Sequence, residues 1–121
     1  MAIKVHFNSA AVQKVEKVQK LEAVSQAVKG LYYSYRAMAH ATINCNLKGL
    51  NLYVNKIKGH IKTLKELGYD FPVNIPNREA TLEDVAQLTE RQKEYLKQGI
   101  DDLRKAVITC EDALVQARAE V

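Results

Sequence analysis

Three histidines, two cysteines and two prolines are all that this sequence offers of three informative residue types. Each shortage excludes something. His6, His40 and His60 are isolated from one another, and His40 lies five residues from Cys45, a poor ligand spacing on a helix. Surface or hydrogen-bonding roles therefore outrank metal ligation for all three. Cys45 and Cys110 show no C-x-x-C pattern and are expected to be reduced, buried thiols rather than a bridge or a metal pair. Both prolines, Pro72 and Pro76, fall in one short segment, so helices on either side can run long. No apolar run approaches the roughly 20 residues of a membrane span. No basic–apolar–small leader opens the chain, so a cytoplasmic location is the expectation.

Catalytic signatures are also missing. No phosphate-binding glycine loop, dinucleotide fingerprint, H-E-x-x-H, G-x-S-x-G or EF-hand loop occurs. A di-iron helical bundle needs Glu and Glu-x-x-His pairs on several helices; residues 1–68 hold three Glu, and no Glu-x-x-His exists. The reading is of a non-enzyme without metal or cofactor.

What is present is helical patterning. An apolar content of 47% and a charged content of 26% fit one globular domain over residues 1–121. Leu47, Leu50, Val54, Ile57, Ile61 and Leu64 recur at spacings of three and four, a clean helical seam. Gly68 then supplies a left-handed cap, followed by Tyr69 and the prolines. Upstream, Val15, Val18, Leu21, Ser25, Val28, Tyr32, Tyr35 and Ala39 form a second seam, with Gly30 permitting a close helix crossing. Thr81 with Asp84 reads as a capping box in its shorter-acid form. It opens a last helix whose seam runs through Val85, Leu88, Gln92, Leu96, Gly99, Leu103, Val107, Cys110, Leu114 and Ala117.

The fold class is accordingly all-α: an elongated antiparallel bundle or hairpin of three helices, about 9–44, 46–68 and 81–120. The Asn44-Cys45-Asn46 segment favours a turn or kink. The seam nevertheless stays in phase through Ile43 and Leu47, so continuity of the first two helices is the alternative. Ile3, Val5 and Phe7 alternate with Lys4 and His6, which suggests a short extended N-terminal arm. Phe71, Val73 and Ile75 are expected to tuck over one end of the core.

Charge is split unevenly. Residues 1–68 carry ten Lys and one Arg against three Glu, a charge of +8; the remainder carries −4. Either the basic half docks on the acidic half, or it faces an anionic partner. Two candidate faces emerge. Tyr33, Arg36 and His40 share one side of the first helix, a set able to stack on a base, grip a phosphate or anchor a protein. Lys58, Lys62 and Lys65 form a basic face on the second. Against these stand plainer readings: tyrosines that fill the core with their hydroxyls in water, and lysines that only solvate a helix.

Helices of such unequal length leave apolar seams uncovered in a monomer, so self-association, most simply as a dimer, is expected. The function expected from sequence is that of a non-enzymatic, self-associating helical binding protein: an adaptor, an assembly subunit or a small inhibitor of a larger machine. The alternative is a module that binds nucleic acid or a phosphorylated ligand through the basic face of residues 1–68.

Overall fold

The computed structural model describes residues 9–70 and 80–120, with side chains from Val15 onward. Four helices account for nearly all of them: α1 (Ser9–Ile43), α2 (Leu47–Glu66), α3 (Leu82–Ala86) and α4 (Glu90–Ala119). The described residues contain no strand. The proposed N-terminal arm and the Phe71, Val73 and Ile75 contacts lie outside the described residues.

The break between the first two helices is real. α1 closes with the Asn46 N–H on the Ala41 carbonyl and the Cys45 N–H on the Thr42 carbonyl, at 2.8 and 3.2 Å. These are the two bonds of a Schellman cap, and they require a left-handed residue between helix and exit. Cys45 occupies that position with φ 57°, where glycine is the usual choice. Asn46 then caps α2, its Oδ1 accepting from the Gly49 N–H at 3.0 Å. One consequence corrects the expectation for the cysteines: Cys45 is exposed, and only Cys110 is partly buried. At its other end α2 closes with the same pair of bonds, Tyr69 N–H to Leu64 and Gly68 N–H to Lys65, with Gly68 at φ 89° as expected.

The last helix is not continuous. The capping box at Thr81 and Asp84 forms, but α3 stops after five residues. A second box reopens the chain: the Thr89 Oγ1 accepts from the Gln92 N–H at 3.1 Å, and the Gln92 Oε1 accepts from the Thr89 N–H at 2.9 Å. Gln92 is therefore a cap and not a seam residue. The signal, T-E-R-Q, is the standard Thr-x-x-Gln pattern; an apolar seam read straight across it concealed the break.

α1 is the central helix. It packs along both α2 and α4, and no comparable interface joins α2 to α4. This explains why a single seam undercounts its buried face. Val28, Tyr32, Tyr35 and Ala39 are buried as expected, but so are Val24, Ala27, Leu31 and Ala41. A helix flanked on two sides must be apolar over a wider arc than one that packs once. Val15, read as core, is 43% exposed. Its neighbours end near Lys20, which lies over the Tyr69 ring, and near Glu22, which pairs with Arg118.

The main core gathers Val24, Val28, Leu31, Tyr32 and Tyr35 of α1, Ile57 and Leu64 of α2, and Leu103 of α4. Leu31, Ile57 and Leu64 are fully buried; each contributes about 1.5–3 kcal/mol of burial. Two glycines set how closely the helices approach. A Cβ on Gly30 would strike the His60 imidazole, and one on Gly99 would strike the Tyr35 hydroxyl and lie 2.6 Å from its Cζ. These contacts, with Ala41 beside Gly49 and with the Glu22–Arg118 and Lys29–Glu111 ion pairs, fix the directions: α2 and α4 each run antiparallel to α1 and so parallel to each other.

The residue that leads into α3 is held against α2. It is Ala80, whose N–H donates to the Asn51 Oδ1 at 2.9 Å and whose carbonyl accepts from the Asn51 Nδ2 at 3.3 Å. α3 then places Val85 in a second small cluster with Ala41, Leu50 and Val54, flanked by Leu47 and Leu88. This closes the end of the bundle at which α1 turns into α2.

Candidate binding surface

With α2 and α4 on its flanks, α1 keeps one ridge in solvent. Tyr33, Arg36 and His40 are all exposed on it, Tyr33 to 61%. The ridge stands because positions 33, 36 and 40 fall at spacings of three and four on a helix whose opposite arc is consumed by packing. The Tyr33 ring leans against Tyr32, centroids 5.2 Å apart and planes tilted by 56°. Tyr32 and Tyr35 are buried, as their place on the seam required.

The edge of the ridge nearest α4 is a ladder of charges. On α1, Glu22, Lys29 and Arg36 recur every seven residues; on α4, running the other way, so do Arg118, Glu111 and Arg104. The Arg118 Nη2 meets the Glu22 Oε1 at 3.1 Å, and the Lys29 Nζ meets the Glu111 Oε1 at 3.0 Å. Their side chains are 40–55% exposed, so each pair contributes at most about 1 kcal/mol. The ladder is more useful as a register mark. One step further, the heptad series reaches Arg36 on α1 and Arg104 on α4, two cations where the first two rungs hold opposite charges.

The Tyr32 hydroxyl sits at this third rung and feels both guanidiniums. Its pKa lies below the ordinary value near 10, first because of the hydrogen-bonding Arg104 guanidinium, with burial opposing and Arg36 adding to the lowering. Arg104 in turn is held above its ordinary range mainly by Tyr32. The nearest carboxylate to Arg104 is Asp101, at a loose 3.8 Å and well exposed. Among the described residues no carboxylate comes within ion-pair distance of Arg36.

The lysine face is elsewhere. His60 packs toward α1 at Gly30. At 100° per residue, Lys58, Lys62 and Lys65 point roughly 140–160° away from it round α2. All three are exposed, and none pairs with an acid of α4 among the described residues. The two sequence candidates are thus not one surface. The residues that do share the ridge side are Arg104 and Tyr32, which sequence reasoning did not connect with Arg36. The heptad spacing was visible, but which residue of α4 faces Arg36 depends on helix register.

No group of three or more His, Cys, Asp and Glu able to hold a metal occurs among the described residues. No described helix is long and apolar enough to cross a membrane. Compared with protein-family models, with curated proteins and with solved structures, the chain matches none.

Proposed function

We propose that this chain is a non-enzymatic helical binding protein that engages an anionic partner along the exposed ridge of α1. The observation that carries this reading is the exposure of Tyr33, Arg36 and His40 together on the central helix, on the one arc that folding does not use. An aromatic ring beside an arginine and an imidazole is a binding combination: the ring supplies rigid contact area, the guanidinium supplies attraction and the imidazole supplies a hydrogen bond. Retention on a polyanionic matrix at low salt tests it. The variant Tyr33→Ala/Arg36→Ala/His40→Ala should elute at clearly lower salt than the parent, and by more than Lys58→Ala/Lys62→Ala/Lys65→Ala, which removes more formal charge. Equal shifts in the two triple variants would reduce the ridge to one part of a diffuse basic surface.

Self-association remains a second reading, and a different observation favours it. Ile108 and Val115, seven residues apart on the outer face of α4, are 51% and 63% exposed. They are flanked by Asp101, Arg104, Lys105 and Asp112, the arrangement of an apolar seam with charged edges. Light scattering over a wide concentration range decides the point; a monomer at high concentration removes this reading.

A further inference from the structure

We propose that the third rung of the α1/α4 ladder is a phosphate site, in which Arg36 and Arg104 hold one tetrahedral dianion and the Tyr32 hydroxyl donates to it. The inference rests on the anionic-ridge reading and narrows it to a ligand chemistry.

The argument starts from register. Two ion pairs, Glu22–Arg118 and Lys29–Glu111, fix how α1 and α4 align. Continued by one heptad, the same alignment reaches Arg36 and Arg104, and both guanidiniums act on the single Tyr32 hydroxyl. Two cations that converge on one neutral hydroxyl, at the step after two oppositely charged pairs, suit an anion bound between them. Asp101 does not fill that role: it is one turn from Arg104 on the same helix, at 3.8 Å, and exposed.

Phosphate fits better than carboxylate. One guanidinium already satisfies a carboxylate through two parallel bonds. Two guanidiniums and a hydroxyl present more donors and more charge than one carboxylate uses. A phosphate ester carries a charge of about −1.5 to −2 and three acceptor oxygens, enough to engage both forks and the phenol. Arginine is also the residue suited to such contacts, by its planar fork and weak hydration. Tyr33, 61% exposed against Tyr32, lies beside the rung as a platform for a planar group attached to that phosphate.

The test uses the full chain and three probes under low salt: pyrophosphate, a short single-stranded oligonucleotide, and poly-glutamate of matched charge. Binding is read by calorimetry and by tyrosine fluorescence, which no tryptophan obscures. The decisive variant is Arg104→Glu, because it completes the ladder with an Arg36–Glu pair and so should keep the fold, which circular dichroism checks. It should weaken phosphate binding by about tenfold to a hundredfold, the loss expected for a charged hydrogen-bonding partner. Lys62→Glu makes the same charge change on the far side of α2 and should change affinity by less than about threefold, as for a remote screened charge.

Pyrophosphate binding lost in Arg104→Glu supports a free phosphate source. Oligonucleotide binding alone, lost in the same variant and reduced by Tyr33→Ala, supports a nucleic-acid source. Poly-glutamate binding as tight as either overturns phosphate selectivity, and equal losses in Arg104→Glu and Lys62→Glu overturn the site. Failure of both phosphate probes, with the ridge-dependent polyanion retention intact, removes the phosphate inference and leaves the ridge reading standing. Loss of that retention effect removes the ridge reading itself.

Discussion

Three of the four glycines inside helices, Gly30, Gly59 and Gly99, make a ruler for how tightly this bundle closes. Alanine in place of a mid-helix glycine gains about 1 kcal/mol of backbone stability wherever the methyl group has room. At Gly59 it has room, since nothing lies within 4 Å of the added Cβ. Gly59→Ala should therefore stabilise by about 1 kcal/mol, or roughly 4 °C in Tm for a chain of this size. Gly99→Ala makes the same backbone gain but drives a methyl into Tyr35, 2.6 Å from Cζ. Tyr35 is 7% exposed and cannot swing away without moving the helices. Overpacking of this kind costs about 1–3 kcal/mol. The backbone gain cancels in the comparison, so Gly99→Ala should be less stable than Gly59→Ala by about that overpacking cost. Urea unfolding followed by helical circular dichroism, with unchanged m-values, measures the difference. Adding Tyr35→Leu to Gly99→Ala should turn the alanine from unfavourable to favourable. Gly30→Ala should fall between the two, because its obstacle is the partly buried His60 side chain. A difference below about 0.5 kcal/mol between Gly59→Ala and Gly99→Ala, the ordinary scatter of additivity, would refute the close approach of α4 to α1.

Two further outcomes follow from local geometry. Cys45→Gly should stabilise by about 0.5–1 kcal/mol, because it relieves a non-glycine residue at φ 57°; Cys45→Val should destabilise, and thermal melts compare the three. In an alkaline titration followed by phenolate absorbance, Tyr32 should ionise early and Tyr35 late, since burial, aided by Tyr95 and Asp102, pushes Tyr35 above its ordinary value while Arg104 and Arg36 lower Tyr32. The signs are opposite. The Tyr35 contribution is intact below pH 10 and lost as pH rises through its folded pKa. The Tyr32 contribution grows as pH rises through its lowered folded pKa and is complete above 10. Tyr32→Phe should delete the early phase, and an unchanged titration in that variant would refute the assignment.

The sequence by itself determined the helices and most of their ends. The α2 seam, the Gly68 cap and the Thr81 box are local features, set by 3.6-residue periodicity and by side chains that reach backbone groups within one turn. The turn at Asn44–Asn46 was legible in composition, though a seam in phase across it argued as strongly for continuity. Only Cys45 in the left-handed region ends the matter. Tertiary structure decided what periodicity does not encode: that α1 is central and buried over two faces, that α2 and α4 run parallel, and that Asn51 of α2 holds Ala80. The surface divides in the same way. Tyr33, Arg36 and His40 were readable as one face because they are neighbours on a single helix. Arg104 was not, because it lies 68 residues from Arg36 in sequence, and only the packing of α4 against α1 lets both arginines act on the Tyr32 hydroxyl.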